Sequence, residues 1–241
     1  MKPLAVAAGA TVAAGAGVAF YGGQIPTAQL YGPVLCRVPG ADGRLALTYD
    51  DGPNPAYTPW LLDLLDRFDA KATFFLIGRW AEREPGLVRE LVDRGHAIGN
   101  HTWDHPTMPL HRDDTIREEL RRCRAAIEAA GVELSTVGDG ALMRPPYGRR
   151  RPGTLRVLRE EGYQPVTWSV TGYDWRSWET AKRIGRRAVR AQGGDIILLH
   201  DGNSLDPAAD RSRSLEATRI ALEHHTPRGM RFVTVPELAA G

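Results

Sequence analysis

Leu45-Ala46-Leu47-Thr48-Tyr49-Asp50-Asp51-Gly52-Pro53 runs an apolar strand straight into two adjacent carboxylates and a turn. The run is β-rich and short, as a buried strand should be. Adjacent like charges at a strand end are costly unless a cation or a shared proton relieves them. Asp51-Gly52-Pro53 alone is ordinary turn chemistry, so the meaning of the pair depends on what else reaches it.

Outward from this stretch, the chain alternates β-rich runs with amphipathic ones. Further strands are predicted at Ala72–Ile77, His96–Ile98, Ala141–Arg144, Pro165–Val170, Ile196–Leu199 and Arg231–Val235. Helical spacing links Trp60, Leu61, Leu64, Leu65 and Phe68, then Leu87, Val88, Leu91 and Val92. A longer helix carries Ile116, Leu120, Cys123 and Ile127 and ends at Gly131. Leu155–Leu158, Ile184–Val189 and Leu215–Leu222 complete the set. Seven β-then-α units imply an α/β fold with a parallel sheet closed, or nearly closed, into a distorted (β/α) barrel. An open doubly wound sheet is the alternative.

The polar residues cluster just past strand ends. Asp50 and Asp51 follow the first strand, and His101 and His105 the third. Arg144 to Tyr147 follow the fourth, Asp174-Trp175 the fifth, and His200-Asp201 the sixth. In a parallel barrel such positions converge on one rim. Two histidines and a carboxylate form a common three-ligand zinc set that leaves a position for water. Pro106 biases His105 out of helical geometry, so a turn should hold the two imidazoles. Pro145 and Pro146 lack amide donors, which makes the Tyr147 N–H the next available one and suits it to a developing oxyanion. A histidine at position 200 can protonate a leaving group, with Asp174 orienting it and Trp175 lining an apolar wall. His96 reads as a strand residue or an outer-shell partner, and Trp60, Trp80, Trp168 and Trp178 as packing.

The 241 residues are 42% hydrophobic and 25% charged, enough for one domain with a sizeable core. A net charge of +2 does not argue for nucleic acid. Arginine supplies nearly all the basic residues; lysine stands only at Lys2, Lys71 and Lys182. Cys36 and Cys123 cannot make a four-ligand zinc site; they could pair in an oxidising compartment, though nothing in their spacing requires it. Residues 1–22 read as a signal peptide or membrane anchor, since Leu4 to Phe20 is an uncharged, largely apolar run behind Lys2. Membrane contact is therefore expected through residues 4–20, residues 23–43 read as a linker, and the catalytic domain as 44–241. An exported protein of a bacterial cell envelope follows, secreted or anchored.

In family order, Thr48-Tyr49-Asp50-Asp51-Gly52-Pro53, His101-Thr102-Trp103-Asp104-His105, Arg144-Pro145-Pro146-Tyr147, Asp174-Trp175 and Leu198-Leu199-His200-Asp201 resemble the polysaccharide deacetylases with a NodB homology domain. The resemblance covers about Arg44 to Leu238. It implies a metal-dependent hydrolase of TIM-like NodB fold that removes N-acetyl groups from N-acetylglucosamine polymers, chitin oligosaccharide or peptidoglycan. It implies Asp50 as general base, with Arg144 paired to it, and Asp51, His101 and His105 as ligands of a divalent metal. Zinc suits that set; cobalt, nickel or manganese could also occupy it. The Tyr147 amide would hold the oxyanion, and His200, tuned by Asp174, would be the general acid. Trp175 and Leu199 would shape the acetyl-methyl pocket. One departure stands out: the family's fourth motif has a second Asp three residues before Asp174, where this chain has Thr171. An O-acetyl esterase acting on xylan or another glycan, and a non-catalytic glycan-binding domain, are the rival readings.

Overall fold

The computed structural model describes residues 21–240, so the apolar run 4–20 lies outside the described residues. Among the described residues no helix is long and apolar enough to cross a membrane.

Strand β1 (Arg44–Gly52) is buried from Leu45 onward and lies at the heart of a nine-stranded sheet. It is followed by α1 (Thr58–Arg67), β2 (Ala72–Leu76), α2 (Gly78–Arg83), α3 (Pro85–Asp93) and β3 (Ala97–Asn100). Then come α4 (Asp113–Ala129), β4 (Thr136–Val137), β5 (Gly140–Met143), α5 (Pro152–Glu160), β6 (Tyr163–Pro165) and β7 (Val170–Thr171). The chain ends in α6 (Ala181–Ala188), β8 (Ile196–His200), α7 (Ser212–His225), β9 (Arg231–Phe232) and α8 (Val235–Ala239). The sheet order is β4-β5-β3-β2-β1-β8-β7, with β6 beside β5 and β9 beside β1, and every pairing but β4–β5 is parallel.

Alternation along the strands divides the core in two. Leu47, Tyr49, Phe74, Leu76, Ile197 and Leu199 face the helices. Ala46, Phe75, Leu142, Ile196 and Leu198 face the barrel interior with Trp168, and Val235 and Leu238 of α8 close its lower end. Full burial of one such leucine or phenylalanine is worth about 1.5–3 kcal/mol.

The sheet is not closed by strand pairing. The predicted strand over 165–170 is two short ones, because the chain leaves β5 at Pro165 and joins β8 at Val170. The segment read from composition as a linker packs into this gap. The Leu35 amide donates to the Pro165 carbonyl, the Thr167 amide to Leu35, and the Val38 amide to Gly194. Leu35 and Arg37 make isolated bridges to Val166 and Asp195. Buried Arg150 fastens the same segment by donating to the carbonyls of Ile25, Pro26 and Ala28.

Cys36 and Cys123 are both free, and Cys123 is a core residue. Of the four tryptophans read as packing, Trp80 and Trp168 are buried, whereas Trp60 and Trp178 are 66% and 67% exposed. His96 is no partner of the rim: it precedes β3, and its Nδ1 accepts the Ala72 amide.

Candidate active site

The Asp50-Asp51 pair sits where β1 breaks its register against β2. Asp51 has φ 72°, a left-handed backbone that turns its carboxylate away from the strand direction of Asp50. Gly52 and Gly202 permit the close approach of the two neighbouring strand ends. A Cβ at Gly52 would lie 2.3 Å from Asp201 Oδ2, and one at Gly202 would lie 2.0 Å from the Asp51 carbonyl oxygen. Asp201 in turn accepts from Thr58 Oγ1 at 2.6 Å, and Thr58 Oγ1 accepts the Asn54 amide at 2.9 Å.

His101 and His105 are held in a turn, not a helix, as Pro106 predicted; Thr102 and His105 have φ 66° and 60°. Asn100 Oδ1 accepts the Thr102 amide, Thr102 Oγ1 accepts the His105 amide, and Glu119 Oε2 accepts those of Trp103 and Asp104. The His101 Nδ1–H donates to the Arg144 carbonyl at 2.7 Å, which leaves Nε2 bare for a ligand. That nitrogen lies 3.5 Å from Asp51 Oδ1, and His105 Nε2 lies 3.3 Å from the same oxygen.

Ligand atoms of Asp51, His101 and His105 lie within 4.8 Å of one another. Asp51 Oδ1 is buried and has no hydrogen-bond partner. A buried carboxylate oxygen left unpaired between two imidazoles costs free energy unless a cation takes its place among them. The charge states agree. Burial would raise the Asp51 carboxyl, yet the His101, His105 and His200 imidazoles beside it hold it well below the usual range. Burial lowers His105 to about 4, so it is neutral and ready to ligate. The residues present fit a divalent metal.

Asp50 faces a different partner. Arg144, fully buried, donates from Nη1 to Asp50 Oδ1 at 2.7 Å and to Thr48 Oγ1 at 2.8 Å, and from Nη2 to the Thr167 carbonyl at 3.0 Å. Its guanidinium lies 4.1 Å from the Phe75 ring centroid. Across the cavity, Asp174 Oδ1 meets His200 Nδ1 at 2.9 Å, while Oδ2 accepts the His200 amide at 2.8 Å and Ser214 Oγ at 2.6 Å. Burial would lower His200, but the Asp174 carboxylate outweighs it and lifts the imidazole to about 9. Trp175 stands edge-on to His200 at 5.2 Å, and the Tyr147 ring edge-on to His105 at 4.6 Å. One cavity of about 370 Å³ is lined by Asp50, Asp51, His101, His105, Tyr147, Trp175 and His200. Five separate strand ends thus supply one site.

The sequence profile of the polysaccharide deacetylases matches residues 37–166, more than half of the chain. The chain belongs to the polysaccharide deacetylase family. A peptidoglycan-N-acetylglucosamine deacetylase of Bacillus cereus is 36% identical over 209 residues, 86% of this chain and 93% of that one. A chitooligosaccharide deacetylase of Azorhizobium caulinodans is 33% identical, over 83% of this chain and 96% of that one. Among solved structures, a family 4 carbohydrate esterase from Streptomyces lividans in complex with acetate superposes with a TM-score of 0.71. It is 30% identical, over 81% of this chain and 94% of that one.

Within this deacetylase fold one expected residue is misplaced. Leu199 does not line the pocket; it is fully buried among the helix-facing core residues. Side chains alternate along β8, so Leu198, two before His200, shares the face of His200 and lines the cavity. Thr171, which stands where the family has Asp, pairs with Leu198, and its Oγ1 accepts the Tyr173 amide. Gln24 of the N-terminal segment, Trp168, Asn203 and Arg211 also line the cavity and were not foreseen. Nor was Ser214, which lies on α7 fourteen residues after His200. Nothing in its spacing could have revealed it.

Proposed function

We propose that this chain is a metal-dependent N-deacetylase of N-acetylglucosamine polymers, with peptidoglycan or chitin oligosaccharide as substrate. The observation that carries this reading is the pairing, in one cavity, of an Asp-His-His cluster with a carboxylate on one side and an Asp-His dyad on the other. Asp51, His101 and His105 would hold the ion, which supplies Lewis acidity and lowers the pKa of bound water. Asp50, whose Oδ1 is held by Arg144, takes the proton from the attacking water at its Oδ2. The Tyr147 amide meets the developing oxyanion. The Asp174 bond occupies Nδ1 of His200 and so fixes Nε2 as the nitrogen that gives its proton to the departing amine. Leu198 and Trp175 flank the acetyl methyl. Relatives acting on N-acetylglucosamine polymers favour amide over ester hydrolysis.

We assign the protein to the cell envelope on the strength of its apolar N-terminal run, a location that fractionation of cells would test. The activity is tested by acetate release from chitooligosaccharide, peptidoglycan and acetylxylan, with chelator and with zinc, cobalt, nickel or manganese restored. Asp50→Asn should bind metal and turn over no substrate. Wild-type rates in that variant, or release from acetylxylan alone, would overturn the assignment.

A further inference from the structure

Most of the large apolar side chains left exposed are gathered on one face. Trp60, Leu110, Tyr147, Trp175, Trp178 and Leu205 all lie in segments that follow strand C-termini, the face that carries the cavity. The others comparably exposed among the described residues are Tyr21 and Leu30 of the N-terminal segment and Val92 at the end of α3. Isolated surface hydrophobics need no explanation, but their concentration on a catalytic rim marks a contact surface.

Trp178 is linked to the centre by an unbroken series of contacts. His200 meets Trp175 at 5.2 Å, and Trp175 meets Tyr173 at 5.3 Å. The Arg176 guanidinium then lies 4.3 Å from the Tyr173 ring and 5.8 Å from that of Trp178. The loop bearing these residues is locked from two helices. Arg213 of α7 donates to the carbonyls of Arg176, Ser177 and Glu179 at 3.0, 2.9 and 2.7 Å. Arg187 of α6 donates to the Gly172 carbonyl at 2.8 Å and pairs with Glu179 at 2.7 Å. An indole 67% exposed on a loop fixed this firmly is pre-organised to receive a flat apolar surface at little entropic cost.

We propose that Trp178, with Arg176 beside it, is a glycan subsite outside the acetyl pocket, which stacks on a pyranose ring further along the same polymer. The pyranose ring presents C–H groups to the indole face, and its hydroxyls can accept from the adjoining guanidinium. The subsite rests on the deacetylase reading, since the bound polymer is the one whose acetyl group enters the cavity.

Kinetics against chain length test it. Wild-type kcat/KM should rise from the N-acetylglucosamine disaccharide to the hexasaccharide. Trp178→Ala should raise KM for the hexasaccharide about tenfold, the size of one aromatic stacking contact, and leave the disaccharide kinetics unchanged. Trp178→Phe should restore most of the difference. An unchanged hexasaccharide KM overturns the subsite, and so do equal losses on both substrates, which would mark a mere support of the catalytic loop. Should the wild type release acetate from neither, the deacetylase reading fails by itself. Fluorescence titration with the hexasaccharide then still decides, because the subsite requires tighter binding by wild type than by Trp178→Ala.

Discussion

Replacing Asp174 by Asn removes the charge that lifts His200 while keeping the shape of the side chain. His200 is buried, which alone would push its pKa below 6.5; Asp174, with lesser help from Asp51 and Asp50, brings it to about 9. A metal ion on Asp51 cancels that carboxylate's share, so Asp174 is the charge that matters in the working enzyme. A general acid must be protonated, so activity should fall as pH rises through the His200 pKa. In wild type that limb lies at up to about pH 9, and in Asp174→Asn it should move to about 6.5 or below. At pH 8 the protonated fraction drops from up to about nine-tenths to about 3%, a loss of up to about 30-fold, whereas at pH 6 the same change costs less than about twofold. The Asn amide also meets the His200 N–H with a donor, which adds a loss at every pH. The assay is kcat against pH, measured by acetate release from pH 5.5 to 9.5. A loss equal at pH 6 and pH 8 would refute the argument, for Asp174 would then orient His200 without tuning it.

Metal removal should lower the melting temperature. An ion at about a hundred times its Kd adds about 2.7 kcal/mol, worth roughly 5–10 °C in a chain of this size; His101→Ala should lack both the shift and, by elemental analysis, the metal. Arg144→Met leaves Asp50 buried without its cation and should cost about 3–5 kcal/mol by urea denaturation, and a loss below about 1 kcal/mol would contradict the ion pair as drawn. Thr58→Ala strips the hydrogen bond from buried Asp201 and should cost about 1–3 kcal/mol, with Thr58→Ser restoring it, both read from the denaturation midpoint.

Much of the fold was legible because it is written in periodicity. The apolar run of β1, the helical spacing of Ile116 to Ile127 and the left-handed Gly131 beyond it all stand where the pattern placed them. The convergence of Asp51, His101 and His105 was legible for a related reason: residues that follow parallel strands meet at one rim, so their order along the chain carries spatial meaning. The gap filler was not. Leu35 to Val38 lies among Gly and Pro and pairs through isolated bridges, too few to leave a strand-like pattern. Leu198 is a different case, because the alternation of β8 was available: if His200 faces the cavity, position 199 must face away. The resemblance implies Leu199, whereas the strand's own alternation names Leu198.

The residues that escape a reading by motif share a physical task. Among the described residues six non-glycine residues adopt left-handed backbone, and five of them, Asp51, Thr102, His105, Tyr147 and Tyr173, lie at the site. Each costs roughly 1–2 kcal/mol, so the five together cost about 5–10 kcal/mol, comparable with the whole net stability of a domain. Such a backbone persists only where its surroundings over-determine it. Asn100 and Thr102 accept amides of the histidine turn, Glu119 accepts two more, and Thr171 accepts that of Tyr173. Asp201 stands against Gly52, and Ser214 holds Asp174. Most of these side chains do none of the proposed chemistry, and a search for acids, bases and ligands passes over them. Yet a ligand set spread over separate strand ends has no local sequence to fix it, so the precision of the proposed metal site must come from these braces. Their loss should therefore appear in metal affinity before it appears in the rate of the loaded enzyme.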